Sequence, residues 1–254
     1  MPVIHDDAVC IRHWDWSETS QAVSLFTRGH GLVRALAKGS RRAKSPYSGG
    51  VEMLTRGEAG LIVRPNTELA LLTEWDLRET YPALRRSLAA FNAGMYFADL
   101  VQRFVHDHDA HTALFDALAS SLAELGADGT EAMLDAVVRF QWAVLREAGF
   151  RPLLGESSTG ADVPEAEVLV FDPEHGGVRT VVGPGPHSGW KVRRGTIELL
   201  RRVAGIGDGG AGEGMEAETL LRAARLLGAY VSHVLGEEPP TQRPALSGAH
   251  SDVG

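Results

Sequence analysis

The sequence predicts an α+β protein: a small closed β-barrel of OB-fold type, then an α-helical bundle domain with a β-hairpin inserted in it. Three observations carry this. Apolar residues alternate with period two in short runs through the first 76 positions, recur every three to five positions from 82 to 105 in the first of three successive helices, and return to two apolar strands around Gly176-Gly177. The domain limits that follow are 1–78 for the barrel, 79–238 for the helical domain with a hairpin module at about 151–190, and 239–254 for a flexible tail.

The elements follow in order. Residues 7–16 form a first strand with Val9 and Ile11 on one face, 22–26 a second and 32–37 a third. TRGHG separates the second from the third, and its Gly29 and Gly31 permit a tight hairpin because glycine tolerates positive φ. Residues 59–63 and 68–74 form another pair around the turn formers Pro65 and Asn66, with 51–54 as a possible extra strand. About five short strands are the content of an OB-fold, a barrel that commonly binds single strands.

Leu84, Leu88, Phe91, Met95 and Leu100 mark one face of a helix over 82–105. A second helix covers 110–125. A third covers 131–148, with Thr130 as its N-cap and Gly149 just past its end. After the 167–182 hairpin comes a helix near 196–203, then GIGDGGAGEG, which reads as a flexible connector. A last helix spans 217–235, and the remainder is expected to be disordered.

Charge is distributed unevenly. The formal net charge of the 254 residues is -8, yet positions 19–50 hold no Asp or Glu. Arg28, Arg34, Lys38, Arg41, Arg42 and Lys44 all fall there, four of them within KGSRRAKS. The first fifty residues carry seven Lys/Arg against four Asp/Glu, a balance of +3, which leaves -11 for the rest. A local positive field attracts polyanions whatever the total charge, so these cations are the candidate phosphate-gripping surface. Such contacts hold backbone and do not read bases. Trp14, Trp16, Phe26 and Tyr47 offer stacking faces; aromatics at strand spacing are mostly core, so Tyr47, in a loop beside the cations, is the one selected.

Other chemistry is weaker. No apolar run reaches the roughly 18–20 residues of a membrane span, no secretory signal opens the chain, and the lone Cys10 suits a reducing interior, so a cytoplasmic location is expected. His106, Asp107, His108, Asp109 and His111 hold metal-ligand types, which keeps a metal-dependent phosphohydrolase as an alternative. The same residues at a helix junction are explained by Asp109 as a cap and solvated histidines. Cys10 among apolar residues is a buried thiol, GPGPHSGW is not G-x-S-x-G, and the glycine run lacks the Lys-Ser/Thr of a phosphate loop, so no catalytic residue is assigned. An RNA-binding or protein-interaction barrel is a further alternative.

The order of parts resembles a known family. A short strand, WSETSQAVSLFTRGHGLVRALAKGSRRAKS, a hairpin ending in LLTEWDLRETYPALRRSL, and helices to LREAGFRPLL are similar to the bacterial recombination mediator RecO. The match is best at Glu18-Thr19, Thr27-Arg28 through Gly31, Lys38-Gly39, Arg41-Arg42 and Lys44-Ser45, and extends to Tyr230-Val231 and Leu235-Gly236. The resemblance implies a non-enzymatic mediator of DNA repair, associated with the nucleoid. It would bind single-stranded and double-stranded DNA, anneal strands, engage the acidic tail of single-strand-binding protein, and load RecA together with RecR. For that tail, Arg85, Arg86 and Arg103 are the candidate residues of a basic, apolar-floored groove. Many members carry a four-cysteine zinc site in the region matching 153–181; here that region has no cysteine, so a zinc-finger-like module without metal or other cofactor is expected, held by Val168, Val170, Phe171 and Val181.

Overall fold

The computed structural model describes residues 3–42, 45, 47, 51–63, 67–127, 129–154, 168–179, 189–205 and 216–247, apart from the side chains of Val168 and Arg179. The chain forms two compact units, residues 1–126 and 127–254.

In the first unit, β1 (Ile4–Ser17), β2 (Ser20–Thr27), β3 (Gly31–Ala37), β4 (Arg56–Ile62) and β5 (Ala70–Glu79) close into a barrel ordered β1-β2-β3-β5-β4. β4 returns antiparallel to β1, and β3 pairs parallel with β5. This is the OB-fold arrangement. Its interior mixes Ala8, Ala35, Ala37 and Ala59 with Leu25, Leu61, Leu72 and Trp75, small against large as a narrow barrel requires.

β1 changes face part-way along. Cys10 pairs with Leu25, but Arg12 pairs with Ser24, so Ile11 is an extra residue at a β-bulge. The bulge reverses the alternation: Ala8 and Cys10 point into the core, whereas Arg12, Trp14 and Trp16 are exposed. Residues 51–54 are not a strand. The Val51 N–H donates to the Gln21 side chain (3.4 Å) and the Leu54 N–H to the Cys10 carbonyl (2.8 Å), with Leu54 at φ 55°, so their backbone serves a turn.

The helix expected over 82–105 is interrupted. α1 (Ala83–Arg86) stops at Ser87, whose extended backbone and Oγ, accepting from the Ala90 N–H at 3.2 Å, start α2 (Leu88–Phe104). α3 (Thr112–Glu124) starts from His111, not from the expected cap Asp109, whose carboxylate meets His111 Nε2 at 3.2 Å. The barrel ends at Glu79, close to the limit drawn from sequence, but the compact unit extends to Gly126. Phe115 of α3 lies 5.8 Å from Phe26 of β2 and beneath the Arg56 guanidinium, and Gln102 of α2 meets Ser24 at 3.3 Å.

The second unit comprises α4 (Thr130–Glu147), a sheet ordered β7-β6-β8 from β6 (Val168–Asp172), β7 (Gly177–Arg179) and β8 (Trp190–Arg193), then α5 (Arg194–Val203), α6 (Ala217–Leu235) and α7 (Gln242–Ser247). Thr130 is the first helical residue of α4 and not its cap; Gly129, at φ 101°, takes that place. At the other end Gly149 and Phe150 donate to the carbonyls of Arg146 and Leu145, the closure that a left-handed glycine permits. The hairpin gains a third strand that the sequence reading missed, β8. Phe171 stacks on Trp190 (5.8 Å) and meets the edge of Tyr230 on α6 (5.1 Å), while Val170 is buried beside it. The side chain of Val168, the residue Val181 and the glycine-rich 206–215 lie outside the described residues. The flexible tail expected from 239 is corrected in part: residues 242–247 are helical, with Ala245 fully buried and Gln242 bonded to Ser232. Among the described residues, no helix is long and apolar enough to cross a membrane.

Three outcomes follow from this geometry. Gly31, at φ +66°, packs so closely on the α2–α3 connection that a Cβ would overlap the Asp109 carbonyl. Gly31→Ala should lose about 2 kcal/mol or more in denaturant unfolding. Burial pushes the Cys10 thiol up to about 12. The native state therefore keeps its proton where the unfolded chain, at the ordinary 9.0, has released it, so stability should fall as pH rises from 9.0 towards about 12. Iodoacetamide at pH 8 should label Cys10 only in denaturant, which mass spectrometry would read.

Candidate nucleic-acid interface

The cationic loop leaves the barrel at Ala37 and is bound to β2 at once. The N–H of Gly39, at φ +69°, donates to Ser20 Oγ (3.1 Å), the Arg41 N–H to the Thr19 carbonyl (3.2 Å), and the Arg42 N–H back to the Gly39 carbonyl (3.0 Å). Beneath this turn lies the buried Gln21. Its Oε1 accepts from Ser40 Oγ (2.9 Å) and the Val51 N–H (3.4 Å), and its Nε2 donates to the Val51 carbonyl (3.3 Å). Both ends of the segment from 41 to 50 are thus fixed to one amide. Lys44 lies outside the described residues.

Tyr47 corrects the sequence expectation. It is 2% exposed, belongs to the barrel core, and donates its hydroxyl to the Leu72 carbonyl at 2.6 Å. It plugs the barrel and has no face to offer a base. Loop position misled, because the loop folds inward at this residue.

Three of the other expected cations have carboxylate partners. Arg28 makes two 2.9 Å contacts to the Asp116 carboxylate, Arg34 meets Asp107 at 3.3 Å, and Arg41 pairs with Asp15. The hydrogen bond from Arg28 holds the Asp116 carboxyl below its ordinary value, and the same bond raises Arg28. A stretch without carboxylates in sequence is therefore supplied with them from β1, the α2–α3 connection and α3. All three pairs are exposed, so water screens them and a phosphate can displace the carboxylate. Lys38 and Arg42 are exposed and form no ion pair among the described residues.

Arg12, absent from the candidate set, joins them. Across the outer face of the barrel it pairs with Ser24, which pairs with Arg34, and the adjacent row runs Trp14, Ala22, Leu36. A cavity of about 570 Å3 opens here, lined by Arg12, Trp14, Trp16, Ser24, Arg34, Glu68, Leu69 and Gln102. Trp14 and Trp16 are 38% and 57% exposed. The signal was present in RHWDW, where Arg12, Trp14 and Trp16 share one parity, but the bulge that turns that parity outward left no mark in composition.

Arg85, Arg86 and Arg103 do not share one groove. Arg86 ends α1, just before α2 begins, and Arg103 lies in the last turn of α2, about 22 Å along the helix from Leu88 at 1.5 Å per residue. Arg85 meets Glu52 at 2.5 Å and Arg103 meets Asp99 at 2.7 Å, while Arg86 lies beside the exposed Leu88 and Phe91.

Nor do the histidines near 106–111 converge. Asp107 is engaged by Arg34, Asp109 by His111, and the backbone of His108 pairs with Leu32 at φ 63°. Among the described residues, the side chains whose donors gather within 4.8 Å are Asp172, Glu174 and His175 of the β6–β7 turn. There Asp172 already accepts from the backbone N–H of Glu174 and His175 and lies 3.2 Å from the His175 ring. That pattern is a self-bonded turn.

Residues 1–81 match the family described as recombination protein O N terminal, and residues 85–244 match recombination protein O C terminal. The chain is 31% identical over 252 residues to DNA repair protein RecO of Aromatoleum aromaticum, covering 94% of this chain and 93% of that one. It is 30% identical over 240 residues to the protein of the same name from Anaeromyxobacter dehalogenans, covering 92% of each. With the RecO of Rhodopirellula baltica it shares 37% identity over 145 residues, which is 57% of this chain and 53% of that protein. An OB barrel bearing a cationic loop, followed by helices and a small sheet, with both family regions matched along nearly its whole length, places this chain in the RecO family.

Proposed function

We propose that the protein is a DNA-repair mediator of homologous recombination. It binds single-stranded DNA, and duplex more generally, anneals complementary strands, and with RecR helps load RecA onto strands coated by single-strand-binding protein. The observation that carries the reading is the Gln21-anchored loop, which presents Lys38 and Arg42 to solvent on an OB barrel whose relatives are named for DNA repair. Fixing a cationic loop in advance lowers the ordering cost of gripping a phosphate backbone.

The chemistry required is electrostatic. Cations that replace condensed counterions screen phosphate repulsion, which lets two strands approach; no bond is made and no nucleotide is consumed. The reading needs no catalytic residue, in keeping with a mediator. RecR, RecA and the acidic tail of single-strand-binding protein come from the family. For the tail, Arg85 and Arg86 beside Leu88 and Phe91 supply cations next to apolar surface, and Arg103 lies too far away to share that spot. DNA as the partner places the protein in the cytoplasm, on the nucleoid.

A salt titration of single-strand binding and annealing tests this. Replacing Arg41, Arg42 and Lys44 together by Ala should lower the log–log salt slope by roughly 2, at about 0.7 per phosphate contact on a single strand. Wild-type binding and annealing by that variant at low salt would refute the assignment. Because Asp15 competes for Arg41, Asp15→Asn should strengthen binding about two- to fivefold at low salt, and an unchanged or weaker affinity would show that phosphate does not displace the carboxylate.

A further inference from the structure

The cavity on the outer face of β1 is not needed by the phosphate-gripping loop, and its chemistry differs. We infer that it is a stacking site for unpaired bases, with Trp14 and Trp16 as the platform and Arg12 and Arg34 holding the flanking phosphates. The inference rests on the single-strand reading above and names the residues that would distinguish a single strand from a duplex.

Four observations support it. Two large indoles from one strand face the same cavity, at 38% and 57% exposure, on a barrel whose Trp75 is buried. A bulge at Ile11 moves positions 12 and 14 from the inside parity to the outside, and a second irregularity, between Asp15 and Ser17, falls at Trp16. Bulges commonly re-aim side chains next to functional sites. Arg12 forms no ion pair among the described residues, and Arg34 holds Asp107 through one exposed 3.3 Å contact that a phosphate can replace. The volume of about 570 Å3 falls in the range of roughly 300–1,000 Å3 typical of pockets for drug-sized ligands, which suits a base or two.

The charge pattern selects the occupant. Two guanidiniums beside two indoles complement an anionic chain that carries flat apolar rings, which is a single-stranded nucleic acid. Glu68 also lines the cavity and repels phosphate on its own side, which keeps the backbone towards the arginines. Gln102, bonded to Ser24 on one edge, has an amide able to meet a base edge, though stacking itself tolerates any base.

Tryptophan emission reads the site directly. Trp75 and Trp142 are buried and Trp190 is stacked on Phe171, so quenching by added DNA reports on Trp14 and Trp16. Titrating the full chain with a thymidine oligonucleotide should quench emission in step with binding, and a duplex of equal length should bind with little quench. Trp14→Ala with Trp16→Ala should weaken single-strand binding at least about tenfold, since each stacked base contributes a factor of roughly five or more. Duplex affinity should stay within about twofold, and Trp14→Phe with Trp16→Phe should recover most of the loss, which a folding defect would not. If the parent binds single strands and the Ala pair binds them equally well, the stacking site is refuted while the single-strand reading stands. If the parent binds no single strand at any salt, both fail.

Discussion

The buried amide of Gln21 holds together the part of the barrel on which the functional surface depends. One side chain bonds the turn that begins the cationic loop, through Ser40, and the residue that ends it, Val51. Removing it would leave a hydroxyl and two backbone groups without partners in a dry interior, and each such buried group costs about 1–3 kcal/mol. Ser40 and Val51 are thereby pinned to one side chain, and Tyr47, between them in sequence, is inserted in the core. The positions of Lys38 and Arg42 are consequences of that clamp.

The same unit shows how an acidic protein can carry cations without leaving them bare. Asp15, Asp107 and Asp116 reach Arg41, Arg34 and Arg28 from three different elements. In water such exposed pairs contribute little, and they orient the guanidiniums while leaving them exchangeable. Arg56, by contrast, is held by Asp7 and lies over Phe115, joining strand and helix, so its charge is spent on structure. Cations of one sequence type thus divide into structural and displaceable sets according to what the fold puts next to them.

In the second unit, aromatic packing ties the small sheet to α6. Phe171 is clamped between Trp190 and Tyr230, and Trp190 in turn meets the edge of His233 on α6. Rings at about 5–6 Å add favourable quadrupole contacts to the apolar area they bury. A small sheet with a single buried face is marginal alone, and this stack gives it a helix to rest on.

The sequence by itself determined the elements and their class. Period-two and helical spacing marked five barrel strands, the helices and the hairpin, because burial of one face leaves a regular imprint on residue order. Gly31, Gly149 and the cluster from Lys38 to Arg42 were legible because backbone freedom and charge belong to residue types. Tertiary structure decided which aromatics are exposed and which cations are engaged. Two irregularities in β1, at Ile11 and at Trp16, leave Trp14 and Trp16 outward while Tyr47 folds in, and a carboxylate 88 positions away completes Arg28. The small sheet's third strand was missed for the same reason, since it pairs with β6 about twenty positions earlier, and α7 because its six residues are held by packing on α6, through Ala245 and the Gln242–Ser232 bond. Parity at a bulge and pairing across the chain depend on which segments meet, and local residue order does not record that.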